Sequence, residues 1–180
     1  MRYSDIPQFL TNHANYKVDV ALQYLDTRIQ EYINEDGLIL NPDFQRGHVW
    51  TEKQQIAYVE YFLRGGKSGR DLYFNCPSWY CAAKTDYDEF VCVDGLQRIT
   101  ALRKFWNNEL RVFGSYRDQF EGNPREVQTL ISININDLQT KEDVLQWYIE
   151  MNEGGTLHTE AEINRVKKML EEERFRNETL

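Results

Sequence analysis

Val91-Cys92-Val93-Asp94-Gly95-Leu96-Gln97-Arg98, passing straight into the apolar-periodic run from Ile99 to Trp106, is the stretch on which the reading of this chain turns. An apolar, β-branched run that ends on Asp-Gly and continues into a helical pattern is a strand feeding a helix N-terminus. Unpaired backbone N–H groups and the helix macrodipole attract anions there. Gly95 lets the backbone approach a ligand closely, and Arg98 offers a planar fork suited to phosphate oxygens. Asp94 is of the type that holds a ribose hydroxyl or a divalent cation. The plainer alternative is a tight strand-to-helix turn with Asp94 as its N-cap and Arg98 in water, and periodicity alone favours it.

Upstream, Glu89-Phe90-Val91-Cys92-Val93, Trp79-Tyr80-Cys81-Ala82 and Leu72-Tyr73-Phe74 are aromatic and β-branched runs that read as strands, with a hairpin tip over residues 84–88. Before them, Thr51 and Gln54 stand in capping-box spacing and open a helix through Ile56, Val59, Tyr61, Phe62 and Leu63 that Gly65-Gly66 stops. Arg64, Lys67 and Arg70 then form a basic cluster, read equally as a solvated face or as phosphate contacts. Leu38-Ile39-Leu40 is a short strand and Pro42 forbids a helix after it. Phe44-Gln45-Arg46 therefore falls in a loop, where polar side chains often serve ligands. The spacing of Leu22, Leu25, Ile29 and Ile33 predicts an amphipathic helix over residues 19–34.

Downstream, Ile99, Leu102, Phe105 and Trp106 give the third helix its core face, ending near Asn107-Asn108. Leu110-Arg111-Val112-Phe113 reads as a strand, residues 114–124 as an unassigned insertion, and residues 130–135 as a half-buried strand of period two. A helix over 141–150 follows. Thr159 and Glu162 then form a second capping box, opening a helix that decays into a charged tail. The expected organisation is an arm over 1–17, one domain over 18–170 and a tail over 171–180. The fold class is α/β (mixed α+β), a small central sheet flanked by helices over residues 19–34, 51–63, 97–107 and 159–170.

The 180 residues carry a net charge of -8, which argues against a non-specific DNA coat because phosphate contacts supply most of that affinity. Cys76, Cys81 and Cys92 lie at no metal-like spacing and His13, His48 and His158 are scattered, so reduced thiols are expected and a structural zinc site is not. The sequence lacks a signal-peptide pattern and a membrane-length apolar run, so a cytoplasmic location is expected.

Three segments carry a resemblance. Asp94-Gly95-Leu96-Gln97-Arg98 resembles the D-G-Q-Q-R motif of the N-terminal domain of GmrSD-type modification-dependent restriction endonucleases, a branch of the ParB/sulfiredoxin-like superfamily. Asn41-Pro42-Asp43-Phe44-Gln45-Arg46-Gly47-His48-Val49-Trp50 resembles that family's P-x-F-Q-R-x-x-x-W segment. Met151-Asn152-Glu153-Gly154-Gly155-Thr156-Leu157 resembles its N-x-G-G-x-x-L turn. The resemblance implies a small stand-alone version, such as a phage protein, with a ParB/sulfiredoxin-like fold and a site for NTP with Mg²⁺. Carried over by position, Asp94, Gln97 and Arg98 are the catalytic residues, with Asp94 also the metal ligand. Gln45, Arg46, Gly95, Arg98 and Asn152 hold the nucleotide or phosphate. The 44–46 and 94–98 segments are then expected to meet across one pocket, an arginine from each gripping one anion, repelling each other when it is empty.

Two departures bear on mechanism. Leu96 stands where the family carries a glutamine, and no His-Asn-His nuclease block is present in the sequence. Two readings follow. One is an NTP-binding, NTP-hydrolysing domain acting in phage–host conflict; the other is a non-catalytic DNA-binding or inhibitory module that keeps the phosphate pocket, with DNA or a restriction or nuclease protein as partner.

Overall fold

In the computed structural model, which describes residues 2, 5–6, 16–47, 49–79, 83, 85–153 and 160–178, the β-branched runs of the sequence become four strands. They are β1 (Tyr16–Ala21), β2 (Asp71–Asn75), β3 (Val91–Asp94) and β4 (Leu130–Asn136), in the order β1-β4-β2-β3. β4 is antiparallel to β1 and parallel to β2, while β2 and β3 are antiparallel. Five α-helices are described, α1 (Leu22–Asn34), α2 (Glu52–Leu63), α3 (Leu96–Trp106), α4 (Lys141–Glu153) and α5 (Glu160–Glu178), with two short 3-10 turns over Arg117–Gln119 and Pro124–Glu126. The class is mixed α+β. No described helix is long and apolar enough to cross a membrane.

Period-two side-chain alternation splits the core between the two faces of the sheet. Val20, Leu72, Phe74, Cys92, Ile131, Ile133 and Ile135 are buried with α1, α2 and α3 on one face. Val91 and Val93, one residue out of phase with Cys92, are buried on the other with Phe44, α4 and α5. The β3-to-α3 turn lies between these two layers, which is what puts the Asp94 to Arg98 segment at the head of a cleft.

Several elements differ from the sequence reading. The helix expected from residue 19 begins at Leu22, because Tyr16 to Ala21 pair with β4 instead; strand pairing overrides a helical spacing that continues backward through Val18 by coincidence. The Leu22 N–H donates to the Thr129 carbonyl at 2.9 Å, so strand passes into helix without a loop. The strand expected at 38–40 is reduced to one bridge, Ile39 with Val91, on the outer side of β3. Residues 110–113 are not a strand: Val112 and Ser115 exchange backbone hydrogen bonds around Phe113 (φ 51°) and Gly114 (φ 79°), the two left-handed central residues of a type I′ turn. Trp79 donates its N–H to the Cys76 carbonyl in a turn rather than extending a strand, and residues 80–82 and 84 lie outside the described residues. The charged segment after residue 170 stays helical through Glu178, since glutamate and arginine are good helix formers and Arg174 reaches Glu142 on α4 at 2.8 Å. The capping box at Thr51 and Gln54 is present.

Candidate functional site

A cleft of about 450 Å³ opens where the β3-to-α3 turn meets the loop before α2 and the end of α4. It is lined by Gln45, Arg46, Asp94, Gly95, Gln97, Arg98 and Asn152, so the segments 44–46 and 94–98 do meet across one pocket. The same cleft has an aromatic wall that the sequence reading did not assign, made by Trp50, Tyr58 and Tyr61 with Ser68 and Gly69. Trp50 was visible only as the last position of the upstream segment.

Gly95 makes the turn possible. Its φ is 128°, and a Cβ there would stand 2.7 Å from Leu72 Cδ2, so both the backbone angle and the close approach to β2 demand glycine. Gly95, not Asp94, occupies the N-cap of α3, and no side chain caps the helix. The expectation of Asp94 as N-cap therefore fails: its carboxylate turns to Arg98 one helical turn on and accepts a short charge-assisted hydrogen bond from Nη2.

Arg98 is not in water. Its side chain is 15% exposed, and its Nη1 donates to the Asp71 carbonyl at 2.8 Å. Burial works against its charge, but the Asp94 carboxylate outweighs that and holds the guanidinium pKa above its ordinary value. Tyr58 lines the same cleft; burial raises its phenol to about 12, against the opposing pull of the Arg98 charge, and its hydroxyl donates to the Gly69 carbonyl at 2.8 Å.

Gln97 lines the cleft and holds the loop beside it. Its Oε1 accepts from the Val49 and Trp50 N–H groups at 3.0 and 3.1 Å, and its Nε2 donates to the Gly47 carbonyl at 2.7 Å. Gln45 is used the same way: its Nε2 donates to the carbonyls of Cys92 and Val93 at 3.1 and 2.8 Å, on the outer edge of β3. The Gln97 amide and the Gln45 Nε2 are thus held by backbone groups, while both residues still line the cleft. Leu96 is buried and shared between the cleft wall and the core.

Arg46 pairs with Glu162 of α5 at 3.3 Å, with the two side chains 16% and 26% exposed. Each cleft arginine thus has a carboxylate beside it. This corrects the expectation of two mutually repelling guanidiniums, because the fold supplies an internal counterion to each. Behind the 44–46 loop, Arg165 of α5 donates to the carbonyls of Asp43, Phe44 and Gln45 at 2.9, 2.8 and 3.0 Å. Phe44 is buried edge-on against Tyr148 of α4, with ring centroids 5.3 Å apart. Asn152 donates to the Tyr148 carbonyl at 2.7 Å in the last turn of α4, while residues 154–159, with the remainder of the Gly-Gly turn, lie outside the described residues.

The basic cluster after α2 separates from the site. Arg70 stacks on the Phe62 ring with its guanidinium carbon 4.1 Å from the centroid, and donates to the carbonyls of Phe62, Gly66, Gln128 and Leu130. It is a clasp between α2 and the segment before β4, so its reading as a phosphate contact does not hold. Cys92 is fully buried and burial pushes its thiol pKa far up, which suits an inert core thiol.

Among the described residues no three His, Cys, Asp or Glu side chains gather in a way that could hold a metal, and the Asp94 carboxylate is engaged by Arg98. Two arginines, the N-terminus of α3 and a wall of aromatic rings suit a ligand that has phosphate at one end and a flat apolar body at the other.

The family model described as GmrSD restriction endonuclease, N-terminal domain, matches residues 27–128, more than half of the chain. That span contains the 44–46 and 94–98 segments, α2, α3, β2 and β3. No curated protein and no solved structure matches the chain significantly.

Proposed function

The chain belongs to the GmrSD restriction endonuclease N-terminal domain family, and from that premise we propose that its cleft binds a nucleoside triphosphate by the phosphates without hydrolysing it, in a domain that acts on or senses DNA in restriction. The observation that carries this reading is the convergence of Arg46 and Arg98, from the two family segments, on one cleft beside the N-terminus of α3. An arriving phosphate competes with Glu162 for Arg46 and with Asp94 for Arg98, offering each guanidinium a more highly charged partner. Trp50, Tyr58 and Tyr61 provide flat surfaces for a base.

Binding is favoured over turnover by the use made of the polar side chains. Gln97, which would orient a water, holds the 47–50 loop, and Asp94, which would hold Mg²⁺, is paired with Arg98. When bound, Mg²⁺ supplies charge neutralisation between phosphate oxygens; in this reading it arrives on the nucleotide rather than on a cation site of the chain. The ParB/sulfiredoxin-like relationship belongs to the same proposal. So does a nuclease or restriction protein as partner, the family being that of a restriction endonuclease domain. The second reading, a DNA-binding or inhibitory module using the cleft for nucleic-acid phosphate, is favoured by Leu96, whose buried aliphatic side chain offers no hydrogen bond to a nucleotide.

Titration calorimetry with each of the four ribonucleoside triphosphates and Mg²⁺ tests the proposal, with phosphate release measured in parallel. Binding of at least one triphosphate is expected, weakened about ten- to hundredfold by Arg46→Ala, with phosphate release no faster than in buffer. Absence of binding to all four, with retention of a DNA duplex, moves the cleft to the second reading. Phosphate release that disappears in Arg98→Lys overturns the non-hydrolysing part.

A further inference from the structure

The two outer edges of the sheet are treated differently. Along β3 the edge is closed: Ile39 exchanges backbone hydrogen bonds with the Phe90 carbonyl and the Cys92 N–H, and the Gln45 amide covers the carbonyls of Cys92 and Val93. Along β1 the edge is open among the described residues. Ser132 of β4 sends its N–H to the Arg70 carbonyl on the β2 side, so Ile131, Ile133 and Ile135 direct theirs to β1, where their partners are Val20, Val18 and Tyr16. Lys17 and Asp19, the alternate residues, therefore point their N–H and C=O groups outward, and among the described residues nothing hydrogen-bonds to those groups. A groove of about 370 Å³ runs beside this edge, between β1 and the Tyr24, Arg28 and Glu31 side of α1.

We propose that the open edge of β1 is a self-association site, at which the strand pairs antiparallel with β1 of a second copy about a two-fold axis through Val18. An unpaired edge is a template for another strand, and a lone lysine on it blunts that tendency. Lysine followed two residues later by aspartate does the opposite in one register. With Val18 opposite Val18, Lys17 stands opposite Asp19 of the second copy and Asp19 opposite its Lys17. All four are outward-directed residues, so each pair exchanges two backbone hydrogen bonds and matches opposite charges. Sliding the pairing by two residues either way sets Lys17 against Lys17 or Asp19 against Asp19, so the alternation selects a single register. On the opposite side of the strand, Tyr16 meets Val20 of the copy, an aromatic to β-branched pair of the kind that stabilises sheets. The present contacts of the two charges do not compete strongly. Lys17 reaches Asp71 at 3.5 Å with both side chains largely exposed, and Asp19 accepts from the Ser132 hydroxyl on the exposed face. Such an interface is isologous and closes on two copies.

Sedimentation velocity over a range of protein concentrations tests this. The wild-type chain is expected to dimerise. Asp19→Lys and Lys17→Asp, which place like charges opposite each other twice, are each expected to weaken the dimer by at least about tenfold. The double variant Lys17→Asp with Asp19→Lys restores complementarity in the same register and is expected to dimerise again. An equimolar mixture of the two single variants is expected to give a heterodimer, a readout that stands even if the double variant does not fold. A wild-type chain that stays monomeric throughout, single variants that dimerise as well as wild type, or single variants that do not pair when mixed would each overturn the proposal.

Discussion

The Nε2 of Gln97 donates to the carbonyl of Gly47 at 2.7 Å, and the other end of the same amide accepts from two N–H groups of that loop, those of Val49 and Trp50. One side chain on the first turn of α3 therefore sets the path of the chain that carries Trp50 into the cleft. Gln97→Ala leaves three backbone groups without their partner, and a stability loss of about 1–3 kcal/mol is expected in urea unfolding. Gln97→Glu keeps the acceptor but sets a carboxylate against the Gly47 carbonyl, so it should fail to rescue. A purely ligand-facing glutamine would instead leave stability unchanged in both.

Arg165 makes three charge-assisted hydrogen bonds to consecutive carbonyls of the 43–45 segment. Arg165→Ala is expected to destabilise by about 2 kcal/mol, and Arg165→Lys to recover only part of that because one ammonium cannot span three carbonyls. Hydrogen exchange should rise at residues 43–46 and on α5 while β4 keeps its protection. Uniformly raised exchange would mean that α5 carries no local grip on the loop.

Gly95→Ala forces a side chain into a backbone conformation at φ 128° and against Leu72. The backbone strain alone is worth about 1–3 kcal/mol, and the contact with Leu72 adds to it. A melting temperature within a degree or two of wild type would show that the turn relaxes freely.

Tyr32, Tyr58 and Tyr148 are each raised from 10.0 to about 12, in every case first by burial. A raised phenol pKa favours the neutral form in the folded state, so the stability it contributes is fully present below pH 10 and is lost as pH rises from 10 toward 12. Stability is therefore expected to fall across that window. Ultraviolet titration should show these phenols ionising together with unfolding, and Tyr58→Phe should flatten the decline. Free titration of all tyrosines near pH 10 in the folded protein would contradict their burial.

The strand, turn and helix around Asp94-Gly95 were legible because three independent signals coincide there: a β-branched run, a residue that tolerates positive φ, and a helical period. The meeting of the 44–46 and 94–98 segments was legible only through motif resemblance, since neither segment's local pattern says where it goes. What escaped was the destination of polar side chains. Gln45, Gln97 and Arg70 look in sequence like ligand groups, yet all three reach backbone carbonyls, and a composition of Gln and Arg reads the same whether the acceptor is a phosphate or a peptide. Arg165 was unreadable for the opposite reason, being one charge on a polar helix whose partners lie more than a hundred positions earlier. The β1 strand escaped because Val18 happens to continue the helical spacing of Leu22 and Leu25, while the competing alternation of Tyr16, Val18 and Val20 extends over too few residues to dominate.

The position of β4 in the sheet also imposes an order on synthesis. Both β1 and β2 take their ladder partners from β4, so a nascent chain has produced α1, α2, α3 and the β2–β3 pair before the strand that joins them leaves the ribosome. Ile131, Ile133 and Ile135 complete the core beneath those three helices. The stretch that carries the family signature, residues 27–128, stops just short of them. Cut at those bounds, the polypeptide would expose the inner edge of β2 and the apolar flank of three helices, and it should be recovered as aggregate rather than as a smaller folded unit.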